Sequence, residues 1–342
     1  MVSARRPRLS HRGWAVSVFV LAVAITALVV TLNWPGHHHY ASRVARPAQR
    51  TTPQGSPGSN GCAAAPHSCG FPDASNTGVP AGTTLLSVPG QVSSGPGWYF
   101  DSRGWVEVDG NGAVLQGLSI PYNVDVSASN VTIKDVAITV NGNAFGVSLR
   151  HTSNVTVENS DISGGDSGSN RLMVGVKDIY GDSTGTQVLN NNIWYTSTGV
   201  QVYEGLIEGN YIHDMGFISG DHINGITVNG DTTPLTIEHN TVLVDRSQTD
   251  AIGLFEDFGV VANVTIEGNL LAGGGYTIYG GQNPGGPAAY NVHITGNRIS
   301  TMYYANGGYY GYATAFDPSG SGNVWSGNVW DNNGRPTSAP VQ

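Results

Sequence analysis

The sequence predicts an all-β solenoid of about nine stacked rungs, and three observations carry that expectation. The first is a phrase that occurs twice, LTIEHNTVL from Leu235 and VTIEGNLLA from Val264, each followed by a short third strand, AIGLFED or YTIYGG. The second is a column of corner asparagines, Asn191, Asn210, Asn240, Asn269, Asn297 and Asn328, at intervals of 19, 30, 29, 28 and 31 residues. A corner between two strands of one coil suits a residue that tolerates the left-handed region, and an Asn amide can also bond to the Asn one rung away. The third is composition: 48 of 342 residues are Gly and only 11% are charged, which suits many turns and few surface helices.

These phrases resemble the right-handed parallel β-helix superfamily of pectate-lyase-like proteins, particularly secreted actinobacterial members, over about Gly104 to Trp330. The CGFPDASNTGVP phrase from Cys69 resembles the start of such exported proteins. The resemblance implies the fold and a carbohydrate-related role. It does not imply a specific activity. The Arg-x-Pro-x-x-Arg phrase of pectate lyases is absent, as is the Asn-Thr-Asp, Gly-Asp-Asp, Gly-His-Gly and Arg-Ile-Lys set of polygalacturonases.

Taken in order, residues 1–33 read as a signal anchor or signal peptide. Arg5, Arg6, Arg8 and Arg12 precede an uncharged run from Trp14 to Leu32, long enough to span a bilayer with the amino terminus inside. Everything beyond is then expected to be extracellular, secreted or tethered to the membrane by this segment alone. Residues 34–65 form a Pro/Gly/Ser-rich linker with a His37–His39 triplet that reads as solvated. Cys62 and Cys69, the only cysteines, are expected to close one small disulfide loop in an exported chain. Residues 66–104 lack the Asn corner and are expected to cap the open end of the solenoid. Residues 105–334 form the rungs, with a tail over 335–342. Alternation places Val131, Ile133, Val155, Val157, Ile237, Ile266 and Ile294 inward, and Thr132, Thr156, Thr236 and Thr265 outward. Asn130, Asn154 and Asn263 begin Asn-Val-Thr phrases that read as strand-entry corners.

Charge narrows the partners. Residues before Thr51 hold seven of the 15 basic residues and no acid, so the remainder carries 8 against 24, a net of about −16. Such a surface repels nucleic acid and suits cations or neutral sugars. A monomer acting on an extracellular polysaccharide is expected.

Function should lie where the repeat is broken. Insertions at 164–173, 217–223 and 245–249 are expected to rise beside the third-strand face and make a groove. Aligning third strands puts Arg150, Lys177, Tyr203, Asn229, Phe255 and Tyr279 in one outward column. Asp178, Glu204, Gly230, Glu256 and Gly280 form the next, and Asp231 with Asp257 a third. Rungs lie about 4.8 Å apart, so Asp231 and Asp257 would stand near a retaining-glycosidase separation and Glu204 and Glu256 near an inverting one. The same acids could instead hold calcium, or simply be solvated. For a lyase, His222, Lys177 or Tyr203 would be the base, with Arg150 or calcium steadying the enolate. Asn224 aligns with Asp250, each ahead of a small residue and Ile, as in the Asp-Gly-Ile phrase of many carbohydrate-active β-helices. The late tyrosines, with Phe255 and Phe258, either stack on sugar rings or cover the last coil. Two functions remain open: a polysaccharide lyase or glycoside hydrolase, with Lys177, Tyr203, Glu204, His222, Asp231, Asp250, Glu256 and Asp257 as its candidate catalytic residues, or a non-catalytic glycan- or wall-binding protein. Arg150, Asn224, Asn229, Phe255 and Tyr279 would contact sugar in either.

Overall fold

The computed structural model describes residues 61–340, so the anchor and most of the linker expected from the sequence lie outside the described residues. The described chain is a parallel β-solenoid of about nine turns whose regular helix is confined to two short 3-10 turns, Cys62–Ala64 and Pro66–Cys69. Each coil contributes one strand to each of three sheets. The first sheet has nine strands from Val114–Gln116 to Val324–Ser326, the second ten from Leu86–Ser87 to Val329–Trp330, and the third eleven, ending at Gly311–Thr314.

Alternation explains the core. In the first sheet Leu115, Ile133, Val157, Val188, Ile207, Ile237, Ile266 and Ile294 are in register from rung to rung, and all are 0% exposed. Between them Thr132, Thr156, Thr236 and Thr265 face out and are half-buried. The second sheet supplies the facing column Ile138, Ile162, Ile193, Ile212, Val242, Leu271 and Ile299.

The asparagine column is a hydrogen-bonded ladder at the corner between these two sheets. Each amide nitrogen of Asn191, Asn210, Asn240, Asn269 and Asn297 donates to the side-chain oxygen of the next Asn at 2.9–3.0 Å. The same oxygens accept backbone N–H groups, and the amides also reach core carbonyls such as Val188 O and Ile207 O. One detail differs from expectation. The left-handed backbone falls on the residue before each ladder Asn: Asn190, Gly209, His239, Gly268, Gly296 and Gly327 all have positive φ. That residue makes the turn, and the Asn behind it is directed inward, where its amide replaces the ladder bonds the corner has lost. Asn240→Ala is therefore expected to strip several buried bonds at once and to destabilise by about 3 kcal/mol; a denaturant melt indistinguishable from wild type would contradict this. Asn130, Asn154, Asn263 and Asn291, all with positive φ, form the corner into the first sheet and pair as Asn154 with Asn130 and Asn291 with Asn263.

Only the first part of the amino-terminal segment departs from the expected cap. Cys62 and Cys69 are joined by a disulfide, and this loop sits at the opposite end of the solenoid, where Ala63 N–H donates to Asp331 Oδ2. Cys62 and Ala63 pack on Leu243, Leu270 and Ala272 of the second sheet. Phe71 then stacks on His239, Gly78 N–H bonds to Asn190 O, and Leu86 pairs with Leu118 at the first coil. Residues 61–85 are thus a strap running lengthwise along the second sheet against the direction of winding. Capping falls to Val88 and to an antiparallel extension of the third sheet, Ser94–Gly95, Trp98–Phe100 and Val106–Val108, with Trp98 buried in the core.

Candidate functional site: a groove on the third sheet

The third sheet runs through Gly142–Leu149, Leu172–Asp178, Thr196–Gln201, Asn224–Val228, Asp250–Leu254 and Tyr276–Gly280. Val147, Val176, Val200, Ile226, Ile252 and Ile278 stack inward. Before each of the first four stands a glycine, Gly146, Gly175, Gly199 or Gly225, where a Cβ would lie 2.4–2.6 Å from a carbonyl oxygen of the next rung. This close approach leaves no room for a side chain at those positions, and the preceding residues Phe145, Val174, Thr198 and Asn224 line a pocket while Val200 and Ile226 remain in the core.

The expected insertions do flank this face. Tyr195 alone separates the second and third strands of its coil, so loop 164–171 and loop 214–223 meet across it. Arg171 fastens them: its Nε and Nη2 grip both oxygens of Asp221 at 2.7 and 2.8 Å, while its remaining donors reach Gly142 O and Asn143. Phe217 N–H donates to Ser167 O alongside. Burial pushes the Asp221 carboxyl up, but hydrogen bonds from Arg171, Ser197 and the Ile218 N–H outweigh it and hold it below the usual carboxylate range. Residue 222 follows directly, so this pair places His222 at the rim.

The resulting open pocket has a volume of about 300 Å3 and is lined by the apolar Phe145, Met173 and Val174 and by the polar Lys177, Thr198, Gln201, Asp221, His222 and Asn224, with Lys177 Nζ 5.9 Å from the centre of the Phe145 ring. Lys177 Nζ donates to Gln201 Oε1 at 2.6 Å. Burial lowers its pKa, opposed only by the charge of Asp178. Gln201 in turn contacts the Tyr203 hydroxyl, which also bonds to Asn229. Burial, with the nearby Asp178 and Asp257 charges, raises the Tyr203 pKa, so the phenol keeps its proton, while the Gln201 and Asn229 side chains oppose the shift by donating to its oxygen. Lys177, Tyr203 and Asn229 are thereby joined through Gln201. His222 is exposed and lies 3.5 Å from Thr249 Oγ1, while Asn224 donates to Thr198 Oγ1.

One rung further, Asp250 is in register with Asn224, as the aligned phrases predict. Its side chain is 0% exposed and neither carboxylate oxygen has a hydrogen-bond partner. Burial raises its pKa well above the usual carboxylate range. The proton it retains when folded makes stability greatest in acid: the contribution is complete below the ordinary carboxylate range and is lost as pH rises through the raised value. Thermal melts of wild type are expected to fall with pH across that window and those of Asp250→Asn to fall less; parallel curves would contradict a buried neutral acid.

Next to Asp250 begins an aromatic band: Phe255 and Tyr279 at 5.2 Å between ring centroids, Tyr279 and Tyr276 at 5.5 Å, Tyr276 and Tyr310 at 5.7 Å, then Tyr310 with Tyr309 and Tyr309 with Tyr304. Tyr309 and Tyr310 are exposed at 50% and 63%. Tyr312 is different. It packs on Trp325 and Trp330 and donates its hydroxyl to Ser338 O, covering the last coil. Of the two roles considered from sequence, Tyr312 thus takes that of covering the last coil.

The outward columns expected from sequence are slipped by two residues. Lys177 is in register with Ser148, Gln201, Thr227, Gly253 and Tyr279, whereas Arg150, Tyr203, Asn229 and Phe255 lie two positions beyond that column. Arg150 is held by both oxygens of Asp125 and approaches Tyr180, away from Lys177. The acids do not form the expected stacks. Asp178 is buried and binds the N–H groups of Tyr180, Gly181 and Ser183. Glu204 accepts from Gly185 N–H, Asp231 caps its own turn at Thr232 and Thr233, and Glu256 accepts from Asn283 N–H. Asp257 is exposed. These carboxylates terminate strands, because each chain leaving a short strand exposes N–H groups that need acceptors. Among the described residues no three His, Cys, Asp or Glu side chains converge where they could share a metal ion, so calcium has no protein cage of that kind here.

Arg171, Gln201 and Thr198 were not singled out by sequence. Arg171 carried a signal: an arginine inside an inserted loop, with an acid in the next inserted loop that could pair with it. No known protein-family model matches the chain, and no curated protein sequence matches it significantly.

Proposed function

We propose that this chain is an exported, right-handed β-helix of the pectate-lyase-like kind that binds an extracellular polysaccharide along the third-sheet groove. The observation that carries this is the aromatic band, Phe255 through Tyr304, which begins with Tyr276 and Tyr279 on the sheet that holds the polar pocket of Lys177, Gln201, His222 and Asn224 and continues into the 301–310 segment. Flat aromatic faces take the apolar faces of pyranose rings, and a few fixed amide, hydroxyl and amino groups orient the hydroxyls. The strongly acidic remainder of the chain favours a neutral or cationic polymer over a polyanion.

A second reading, elimination within a uronate unit, is supported by the lowered pKa of Lys177. The Lys177 amine, once it has lost its own proton, would take the proton alpha to the sugar carboxylate, the freed electron pair would form the double bond, and the glycosidic oxygen would leave with a proton from His222 or water. Glycoside hydrolysis finds less support, since Glu204, Asp231 and Glu256 are each committed to a turn. Purified full chain should be run on a panel of neutral, amino and uronic polysaccharides, following retention, unsaturated-product absorbance and reducing ends together. Retention without either product is expected; absorbance rising with reducing ends would establish the lyase, and reducing ends alone the hydrolase. Failure to be retained by any polymer would remove the glycan reading.

A further inference from the structure

Buried acids elsewhere in the solenoid are satisfied by the protein itself. Asp178 takes three backbone N–H groups and the Ser183 hydroxyl, Asp125 takes Arg150, and Asp331 takes Arg298 and Ala63 N–H. Asp250 has none of this, although it is 0% exposed and both of its oxygens lack a partner. Leaving a carboxyl so placed is costly unless something else meets it.

Its surroundings indicate what that would be. The carboxyl lies on the outer face of the sheet over Gly253, where an added Cβ would stand 2.5 Å from Asp250 Oδ2 and 2.5 Å from the Phe255 ring. Phe255 therefore lies close to the carboxyl, with Tyr279, tilted at 46°, and then Tyr276, edge-on at 85°, next in the band. A carboxylate edged by aromatic rings and without a protein cation is the chemistry that holds an ammonium ion, through charge and the negative ring faces together. The position is one rung beyond Asn224, on the line of the pocket, so a chain lying along the groove would pass over it.

We propose that Asp250, beneath Phe255, Tyr276 and Tyr279, is a subsite for the free ammonium group of a deacetylated amino sugar in the bound polysaccharide. The inference rests on the glycan reading above and names its substrate class. The Phe255 ring, at the end of its strand and only half-buried, swings aside to admit the group. The retained proton of Asp250 then leaves to solvent as the ion pair forms.

The test is calorimetric titration of the full chain with a glucosamine hexamer, the N-acetylated hexamer and a lysine hexamer. Wild type is expected to bind the glucosamine hexamer at least tenfold more tightly than either of the others. Asp250→Asn should abolish that preference, bringing affinity for the glucosamine hexamer down to that for the acetylated one. Should Asp250→Asn fail to fold, Phe255→Ala supplies the comparison, with the same loss of preference expected. Equal wild-type affinity for both sugars, a preference that survives these substitutions, or lysine-hexamer binding as tight as the glucosamine hexamer would each overturn the subsite. Retention on a neutral polymer without amino-sugar preference would overturn the subsite and leave the glycan reading standing; binding to no polymer would remove both.

Discussion

Ile266→Asp is expected to unfold the solenoid. Ile266 is 0% exposed and sits in the first sheet between Ile237 and Ile294, with the second-sheet column facing it across the core. The new carboxylate would have apolar neighbours above, below and opposite, and no donor in reach. Burying such a charge costs on the order of 5 kcal/mol or more, comparable with the whole stability of a domain. Stacked coils lean on their neighbours, so a rung that cannot close also removes a face from the coils on each side. Far-UV circular dichroism should show loss of the β signal, or a melting midpoint lowered by tens of degrees. A variant that melts like wild type would show that residue 266 does not point inward and that the register is wrong along the first sheet.

Arg171→Ala should have the next largest effect, and a local one. The side chain is 1% exposed and supplies donors to Asp221, Gly142 O and Asn143. Its removal leaves Asp221 with only Ser197 and the Ile218 N–H, and truncating one partner of a buried pair typically costs about 3–5 kcal/mol. Because loops 164–171 and 214–223 are joined chiefly through this contact, the loss should appear as faster amide exchange in both loops, with the ladder corners still protected. Glycan affinity should fall as His222 and the pocket rim lose their support. Asp221→Asn should repeat the exchange pattern more weakly, since its amide oxygen still accepts. Uniform acceleration of exchange across every rung would contradict a local role.

Local chemistry made the rungs readable. Alternation fixed which way Ile237 and Ile266 point, and the asparagine spacing located the corner, because both signals repeat within each coil. The strap over residues 61–85 left no such mark. Its contacts, Ala63 with Asp331 and Gly78 with Asn190, join segments 268 and 112 residues apart and follow the solenoid axis. The outward columns slipped for a related reason. Tyr203, Asn229 and Phe255 lie just beyond the paired part of their strands, where no inward residue pins the register. Carboxylates such as Asp178 and Asp231 looked like a stack in one dimension; in the fold each meets the unpaired N–H groups of its own turn. The Asn224 and Asp250 alignment was legible because both stand at a fixed offset from an inward isoleucine. What that alignment could not show was that the Asp is buried without a partner.

The central claim, that the third-sheet face holds a sugar chain, is tested most directly by replacing both Tyr276 and Tyr279 with Ala and measuring affinity for the polysaccharide that wild type retains most strongly. The two rings form the middle of the aromatic band, and stacking contacts of this kind contribute roughly 1 kcal/mol each beyond the area they bury. At least a tenfold loss of affinity is predicted, with the secondary structure and the asparagine ladder intact by circular dichroism and amide exchange. Unchanged affinity in a folded double variant would contradict the claim and move any glycan site off this face.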